Sequence, residues 1–293
     1  MKINLLHILS ISILFITSCS KPLAKFIIKD AEKTVPAKVT FQNNSKKADR
    51  YEWDFGDGKK STDSLPLHEY RRSGNYNIIL RAYKGNKMSE TKQQLAVNAP
   101  LECMIEIETE HGTMLAVLSN ATPKHRDNII KLADEGYFDD LLFHRIISEF
   151  MIQGGDPDSR NAAQGQRLGM GGPDYRVPAE IVDTLVHQKG ALAAARTNNP
   201  KKESSGSQFY IVQGKKWSAS QLDNLEAQKG IRYTPEQRKA YMEVGGTPQL
   251  DHEYTVFGHV IKGLDVLDKI AEVQKDGSDR PLKDVKMKIK VIK

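Results

Sequence analysis

Apolar and polar side chains alternate with a period of two over much of this chain, the spacing of half-buried β-strands. Val35 to Phe41 alternates and is turned by Asn43-Asn44-Ser45. Tyr51, Trp53 and Phe55 share a face of the next segment, which Gly56-Asp57-Gly58 ends, and Tyr76 to Tyr83 alternates after Gly74. Ile105 and Ile107 alternate with Glu106 and Glu108, His111-Gly112 turns the chain, and Met114 to Leu118 returns as a second strand. Near the end Val285, Met287, Ile289 and Val291 alternate with Lys286, Lys288 and Lys290, a strand with one buried face and one solvated lysine face. Helical signals are fewer. Thr122-Pro123 opens a helix carrying Ile129, Ile130, Leu132 and Ala133, ended by Gly136. Ser220-Gln221-Leu222-Asp223 reads as another start, and Thr234-Pro235-Glu236-Gln237 joins a cap, a first-position proline and a capping-box glutamine, with Gly245-Gly246 as its end. The pattern predicts a mostly β protein divided at Asn98-Ala99-Pro100. Short strands over residues 26–98 suggest a β-sandwich. Residues 103–293 suit a closed antiparallel β-barrel capped by two helices, with a helical insert over about 215–248.

The first nineteen residues follow a different rule. Lys2 precedes an apolar run from Ile8 to Ile16, broken only by serines and too short to span a bilayer comfortably. That is the shape of a secretory signal. Its last four residues, Ile16-Thr17-Ser18-Cys19, resemble a bacterial lipoprotein box, which implies acylation of Cys19 as the new terminus. Several acyl chains, at about 0.8 kcal/mol per buried methylene, hold a protein on a membrane far better than one. Residues 20–25 would then be a tether, and the protein would face the periplasm. Ser20 after the cysteine favours the outer over the inner membrane.

Composition adds limits. The 293 residues are 39% hydrophobic and 27% charged, ordinary for globular domains. The net charge of +6 comes from scattered residues, so nucleic acid is not an expected partner. Cys19 and Cys103 make no metal spacing, and the eight histidines form no H-x-x-x-H pair. Neither a metal nor a cofactor is expected.

Tyr51-Glu52-Trp53-Asp54-Phe55-Gly56-Asp57-Gly58, followed by His68-Glu69-Tyr70 and Gly74-Asn75-Tyr76, resembles the PKD domains, immunoglobulin-like sandwiches of bacterial surface proteins. The resemblance implies a spacer or a module touching protein or glycan. Asp54 and Asp57 invite a calcium reading, but the position that should close such a loop with an acid is Leu65. Trp53 reads as core.

The richest stretch is Phe143-His144-Arg145-Ile146-Ile147-Ser148-Glu149-Phe150-Met151-Ile152-Gln153-Gly154-Gly155-Asp156. It sets one arginine and one glutamine among large apolar side chains, and a guanidinium is rarely left in such company without a partner or a task. With Gly169-Met170-Gly171-Gly172, Gly190 to Ala195, Ser204 to Ile211 and Leu250 to Gly258, it resembles the cyclophilins, which rotate the peptide bond before proline. The resemblance runs from Cys103 to the C-terminus. It implies a peptidyl-prolyl isomerase acting on proline-containing polypeptides, here in exported proteins. A scaffold for adhesion or assembly, using the same fold with little turnover, is the alternative.

Such chemistry breaks no bond. Rotation about a peptide C–N bond costs roughly 18–20 kcal/mol because the nitrogen lone pair is delocalised. In the twisted form that lone pair is localised and accepts a hydrogen bond, so a cation aimed at it catalyses by differential binding. Arg145 is the candidate. Phe150, Met151, Tyr210 and Leu250 would form the proline pocket. Gln153 shares a face with Met151 and would hydrogen-bond the substrate or steady Arg145. Ala195 lets a peptide backbone pass closely. By resemblance Arg196 contributes main-chain bonds, Gln208 lines a neighbouring subsite and Tyr254 stands at a usual histidine position beside the substrate. Tyr210 replaces a common phenylalanine, adding a hydroxyl. Gln249 replaces a tryptophan, which argues against tight cyclosporin binding, and Met170 should restrict the second subsite. The insert is either a wall affecting substrate choice or a stabilising decoration.

Overall fold

A computed structural model describes residues 21–70, 73–98 and 102–292, so the expected signal segment and Cys19 lie outside the described residues. The chain forms two compact units that part between Asn98 and Ala99.

The first unit is a sandwich of seven strands: β1 (Phe26–Ala31), β2 (Ala37–Asn43), β3 (Arg50–Asp54), β4 (Lys60–Ser61), β5 (Leu67–Tyr70), β6 (Gly74–Lys84) and β7 (Lys87–Val97). One sheet has the order β1-β2-β5 and the other β4-β3-β6-β7. Trp53 is 1% exposed. Its ring meets Phe26, Phe41 and Phe55 at centroid distances of 5.1, 5.5 and 6.4 Å, and its indole N–H donates to the Asp63 carbonyl at 2.9 Å. The two aspartates that suggested a cation shape a turn instead. Asp54 accepts the Gly56 N–H and Asp57 the Lys59 N–H, each at 3.0 Å, while the other Asp57 oxygen lies 2.8 Å from Nε2 of buried His68.

One expectation is corrected here. The residues read as a tether are packed on the sandwich from Pro22 onward: Pro22 and Ala24 are buried, Leu23 bridges Lys46, and the Ala24 N–H donates to Ser89 Oγ at 3.2 Å. A lysine- and proline-containing stretch looks solvated, but its alternate residues find apolar contact.

The second unit contains β8 (Met104–Thr109), β9 (Gly112–Leu118), α1 (Pro123–Asp134), β10 (Leu141–Ile147), β11 (Met151–Gly154), β12 (Arg176–Val177), β13 (Ala191–Ala194), β14 (Ser204–Ser205), β15 (Phe209–Val212), α2 (Ala219–Lys229), α3 (Pro235–Glu243), β16 (Val256–Lys262), α4 (Leu264–Ala271) and β17 (Lys286–Ile292). Eight of the strands close a barrel in the order β10-β11-β15-β13-β16-β9-β8-β17, every neighbouring pair antiparallel. Alternation decides what fills it. Ile146, Ile152, Leu192 and Ile211 point into the core, where Ile129 and Leu132 of α1 and Val266, Leu267 and Ile270 of α4 join them.

The helix ends are held partly as expected. Ser218 with Gln221, and Thr234 with Gln237, make complete capping boxes, so the first insert helix starts two residues before the expected Ser220. Thr122 makes no side-chain cap. Instead Glu180, distant in sequence, accepts the N–H groups of Lys124 and His125 at 3.1 and 3.0 Å, placing a carboxylate on the positive end of the helix. The lysines of β17 face outward and each meets a carboxylate, Lys286 with Asp140, Lys288 with Asp139 and Lys290 with Glu108.

Candidate active site

Side chains that alternate away from the core on β10, β11, β15 and β13 meet on the outer face of the barrel. Arg145 on β10 stands opposite Gln153 on β11; Gln153 is opposite Tyr210 on β15, which is opposite Ala193 on β13. Met151, two residues from Gln153, lies on the same face, and with Tyr210 and Ala195 it forms a second apolar cluster against which Phe150, Leu250 and Tyr254 pack. A cleft of about 200 Å3 opens there, lined by Arg145, Phe150, Met151, Gln153, Ala195, Arg196, Tyr210, Leu250 and Tyr254. The nine belong to four separated blocks of sequence. Gln208, expected at a neighbouring subsite, lines an adjoining cleft of about 210 Å3 that shares Gln153, Ala195 and Arg196.

A chain of polar contacts joins the two clefts. Arg145 Nη1 lies 3.5 Å from Gln153 Oε1, Gln153 Nε2 donates to Gln208 Oε1 at 3.1 Å, and Gln208 Nε2 donates to the Gly171 carbonyl at 2.7 Å. Gly171 is itself placed by buried Asp156, which accepts the N–H groups of Gly169 and Gly171. A Cβ on Gly171 would come within 2.2 Å of the Asp156 carboxylate, so the close approach requires glycine. Met170 stands 86% exposed at the rim of this second cleft.

Arg145 stands at the rim of the apolar cleft, its side chain 45% exposed. The bulge between Phe143 and Arg145 lets His144 turn inward while the guanidinium stays at the rim. Its ion pair with Asp279, 3.9 Å long and half-exposed, is a weak restraint. Phe150 is steadied from behind, its carbonyl accepting the N–H groups of Gln213 and Gly214, each at 3.0 Å.

The Arg196 side chain is engaged within the protein. It donates to the Glu253 carbonyl at 3.1 Å and lies over the Tyr254 ring, 4.7 Å from its centroid, pinning the turn that carries Tyr254. Burial, with Tyr254 and Asp251 nearby, pushes the Tyr210 phenol far up, so it stays protonated. Its hydroxyl points away from the cleft, 3.0 Å from His187 Nε2. His187 had no expected role; only its partners reveal one.

Several buried groups make the fold acid-sensitive. Burial lowers the pKa values of His125, His144 and His259 below the usual 6.5. Glu180 is also held low, burial pushing it up but bonds from His125 and the α1 N–H groups outweighing that. Groups whose folded pKa is depressed contribute stability above their unfolded value and lose it as pH falls. The histidine contribution is thus complete above about pH 6.5 and fades below it. The urea midpoint of the full chain should drop between about pH 7.5 and about pH 5.5, and an unchanged midpoint would contradict this assignment.

The comparisons agree with this geometry. Residues 104–291 match the family model described as cyclophilin type peptidyl-prolyl cis-trans isomerase, and residues 19–99 match the PKD domain. The chain belongs to the cyclophilin-type peptidyl-prolyl isomerases and carries a PKD domain ahead of the enzyme. It is 38% identical over 189 residues to a Staphylococcus saprophyticus protein named "Putative peptidyl-prolyl cis-trans isomerase", a match covering 63% of this chain and 88% of that one. It is 41% identical over 187 residues to a Streptococcus pyogenes "Putative bifunctional phosphatase/peptidyl-prolyl cis-trans isomerase", covering 62% of this chain but only 37% of that protein's length. Among solved structures, a cyclophilin-type isomerase of Cryptosporidium parvum aligns with a TM-score of 0.47 and 25% identity, over 65% of this chain and 97% of its own.

Proposed function

We propose that this cyclophilin-type isomerase works at the bacterial cell envelope on exported polypeptides, with Arg145 as its catalytic group. One observation carries the mechanism: an arginine held at the rim of an apolar niche and steered by a glutamine on the next strand. A prolyl ring would enter between Phe150, Met151, Tyr210 and Leu250, with the chain passing over Ala195. Gln153 and Gln208 supply amide groups for the flanking backbone. As the imide twists, its nitrogen turns from a conjugated centre into a hydrogen-bond acceptor, and the guanidinium meets it. The planar isomers gain nothing comparable, so the barrier falls while ground-state binding hardly changes. Arginine suits the task because it stays protonated and its fork is rigid.

The location rests on the leader. Lys2, the run from Ile8 to Ile16 and the cysteine after Ile16-Thr17-Ser18 support export and acylation of Cys19, with the chain facing the periplasm from the outer membrane. The PKD unit then serves as a contact module for protein or glycan on that surface. Mass spectrometry of the mature protein from bacterial membranes should find acylated Cys19 at the N-terminus; a processed chain that begins at Met1 would refute the anchor. For the activity, the full chain should isomerise an X-Pro test peptide well above the buffer rate. Turnover no faster than buffer would favour the scaffold instead.

A further inference from the structure

The insert, α2 and α3 with their connection, is not spare decoration on the barrel. Behind the niche, His187 is fully buried and stacks on Tyr210, with ring centroids 6.0 Å apart. Its Nδ1 lies 2.7 Å from Asp251 Oδ1, and its main-chain N–H donates to the same oxygen at 2.8 Å. A carboxylate only accepts, so Nδ1 carries the proton, and in the neutral ring Nε2 accepts from the Tyr210 hydroxyl. The other Asp251 oxygen takes two phenols of the insert, Tyr233 at 2.8 Å and Tyr241 of α3. Asp251 is 2% exposed. Burial alone would raise its pKa, but the bonds from His187 and Tyr241 hold it below the usual carboxylate value.

The main chain around Asp251 belongs to the opposite wall. Asp251 directly follows Leu250, and Lys229 at the end of α2 donates to the Gln249 and Asp251 carbonyls at 2.8 and 2.6 Å. The Tyr233 hydroxyl is also 3.1 Å from the Pro248 carbonyl, and the Thr247 N–H donates to the His187 carbonyl at 2.8 Å. Two walls of the niche, Tyr210 and Leu250, therefore hang on one buried residue, Asp251, two of whose side-chain donors, Tyr233 and Tyr241, come from the insert.

We infer that Asp251 and His187 are positioning residues, and that through them the insert sets the width of the prolyl niche. This rests on the reading of that cleft as the prolyl site. A buried carboxylate that loses one donor must move or find another, and its shift is passed through His187 to the Tyr210 ring. A displaced niche binds planar and twisted proline less well alike, so the loss falls on KM rather than kcat.

The test is a double-mutant cycle on the full chain, with kcat and KM measured on an X-Pro peptide. Tyr241→Phe keeps the packing of α3 and touches no cleft residue; it should raise KM about tenfold and leave kcat within about twofold. In a Tyr210→Phe background, whatever that change does by itself, the same substitution should raise KM by about twofold or less, because the hydroxyl that carries the signal is gone. Tyr233→Phe removes the second donor to the same oxygen and carries the same expectation should the Tyr241 variant fold poorly. An equal rise in both backgrounds, or an unmoved KM in both single variants with only the melting temperature lowered, would overturn the inference. Failure of the wild type to turn over the peptide would strike the reading of the cleft itself.

Discussion

Replacing Arg145 with alanine should lower kcat/KM on an X-Pro peptide about a hundred- to a thousandfold, the usual loss when a single preorganised donor to a transition state is removed. The loss should fall almost wholly on kcat. In the planar ground state the prolyl nitrogen has no lone pair to offer, so the guanidinium contributes little to substrate binding, and KM should stay within about threefold. The folded state should tolerate the change. Arg145 is half-exposed, and its 3.9 Å ion pair with Asp279 is of the kind worth about 0–1 kcal/mol. A stability scan alongside the kinetics separates the two effects. Near-wild-type kcat in a folded alanine variant would remove Arg145 from the mechanism.

In the PKD unit the largest effect should come from Trp53→Ala. The indole fills the centre of an aromatic cluster and its N–H holds the Asp63 carbonyl, so truncation leaves a cavity and an unpaired acceptor together. Core Trp to Ala changes cost about 3–5 kcal/mol, a large share of what a domain of this size has. For a small domain that corresponds to a fall in melting temperature of about 15 °C or more, read by calorimetry on the full chain. Trp53→Phe should fall between, keeping much of the apolar volume but losing the bond to Asp63. A shift under about 5 °C for the alanine variant would mean the cluster relaxes around the gap, contrary to the packing described.

Local features were the most readable in advance. Alternation marked the strands, and spacing by two placed Met151 and Gln153 on one face before any neighbour was known. Capping boxes at Ser218 and Thr234 carry their own signal, although the first start was read two residues late. What remained hidden depends on distant partners. The cap of α1 comes from Glu180 rather than adjacent Thr122, and His187 meets Asp251 across 64 residues of sequence. No periodicity encodes such pairs. Of the two helices expected to cap the barrel, α4 carries no start signal in the sequence because it is eight residues long and begins after Gly263, which has no side chain to cap it. Residues 22–25 look like a solvated tether because Lys21 and Lys25 stay exposed, while burial of Pro22 and Ala24 docks them. In the cleft, family likeness named residues that geometry then brought together, but the partner of the Tyr210 hydroxyl, His187, became visible only in the folded chain.

The most direct test of the account is the exchange rate between cis and trans peptide bound to saturated enzyme, measured by NMR for wild type and Arg145→Lys. Lysine keeps the charge but replaces the planar fork with a mobile point charge. On-enzyme exchange should slow by about a hundredfold or more while the peptide dissociation constant stays within about threefold. Exchange that survives the substitution, or that is lost only in proportion to affinity, would contradict a guanidinium that favours the twisted imide.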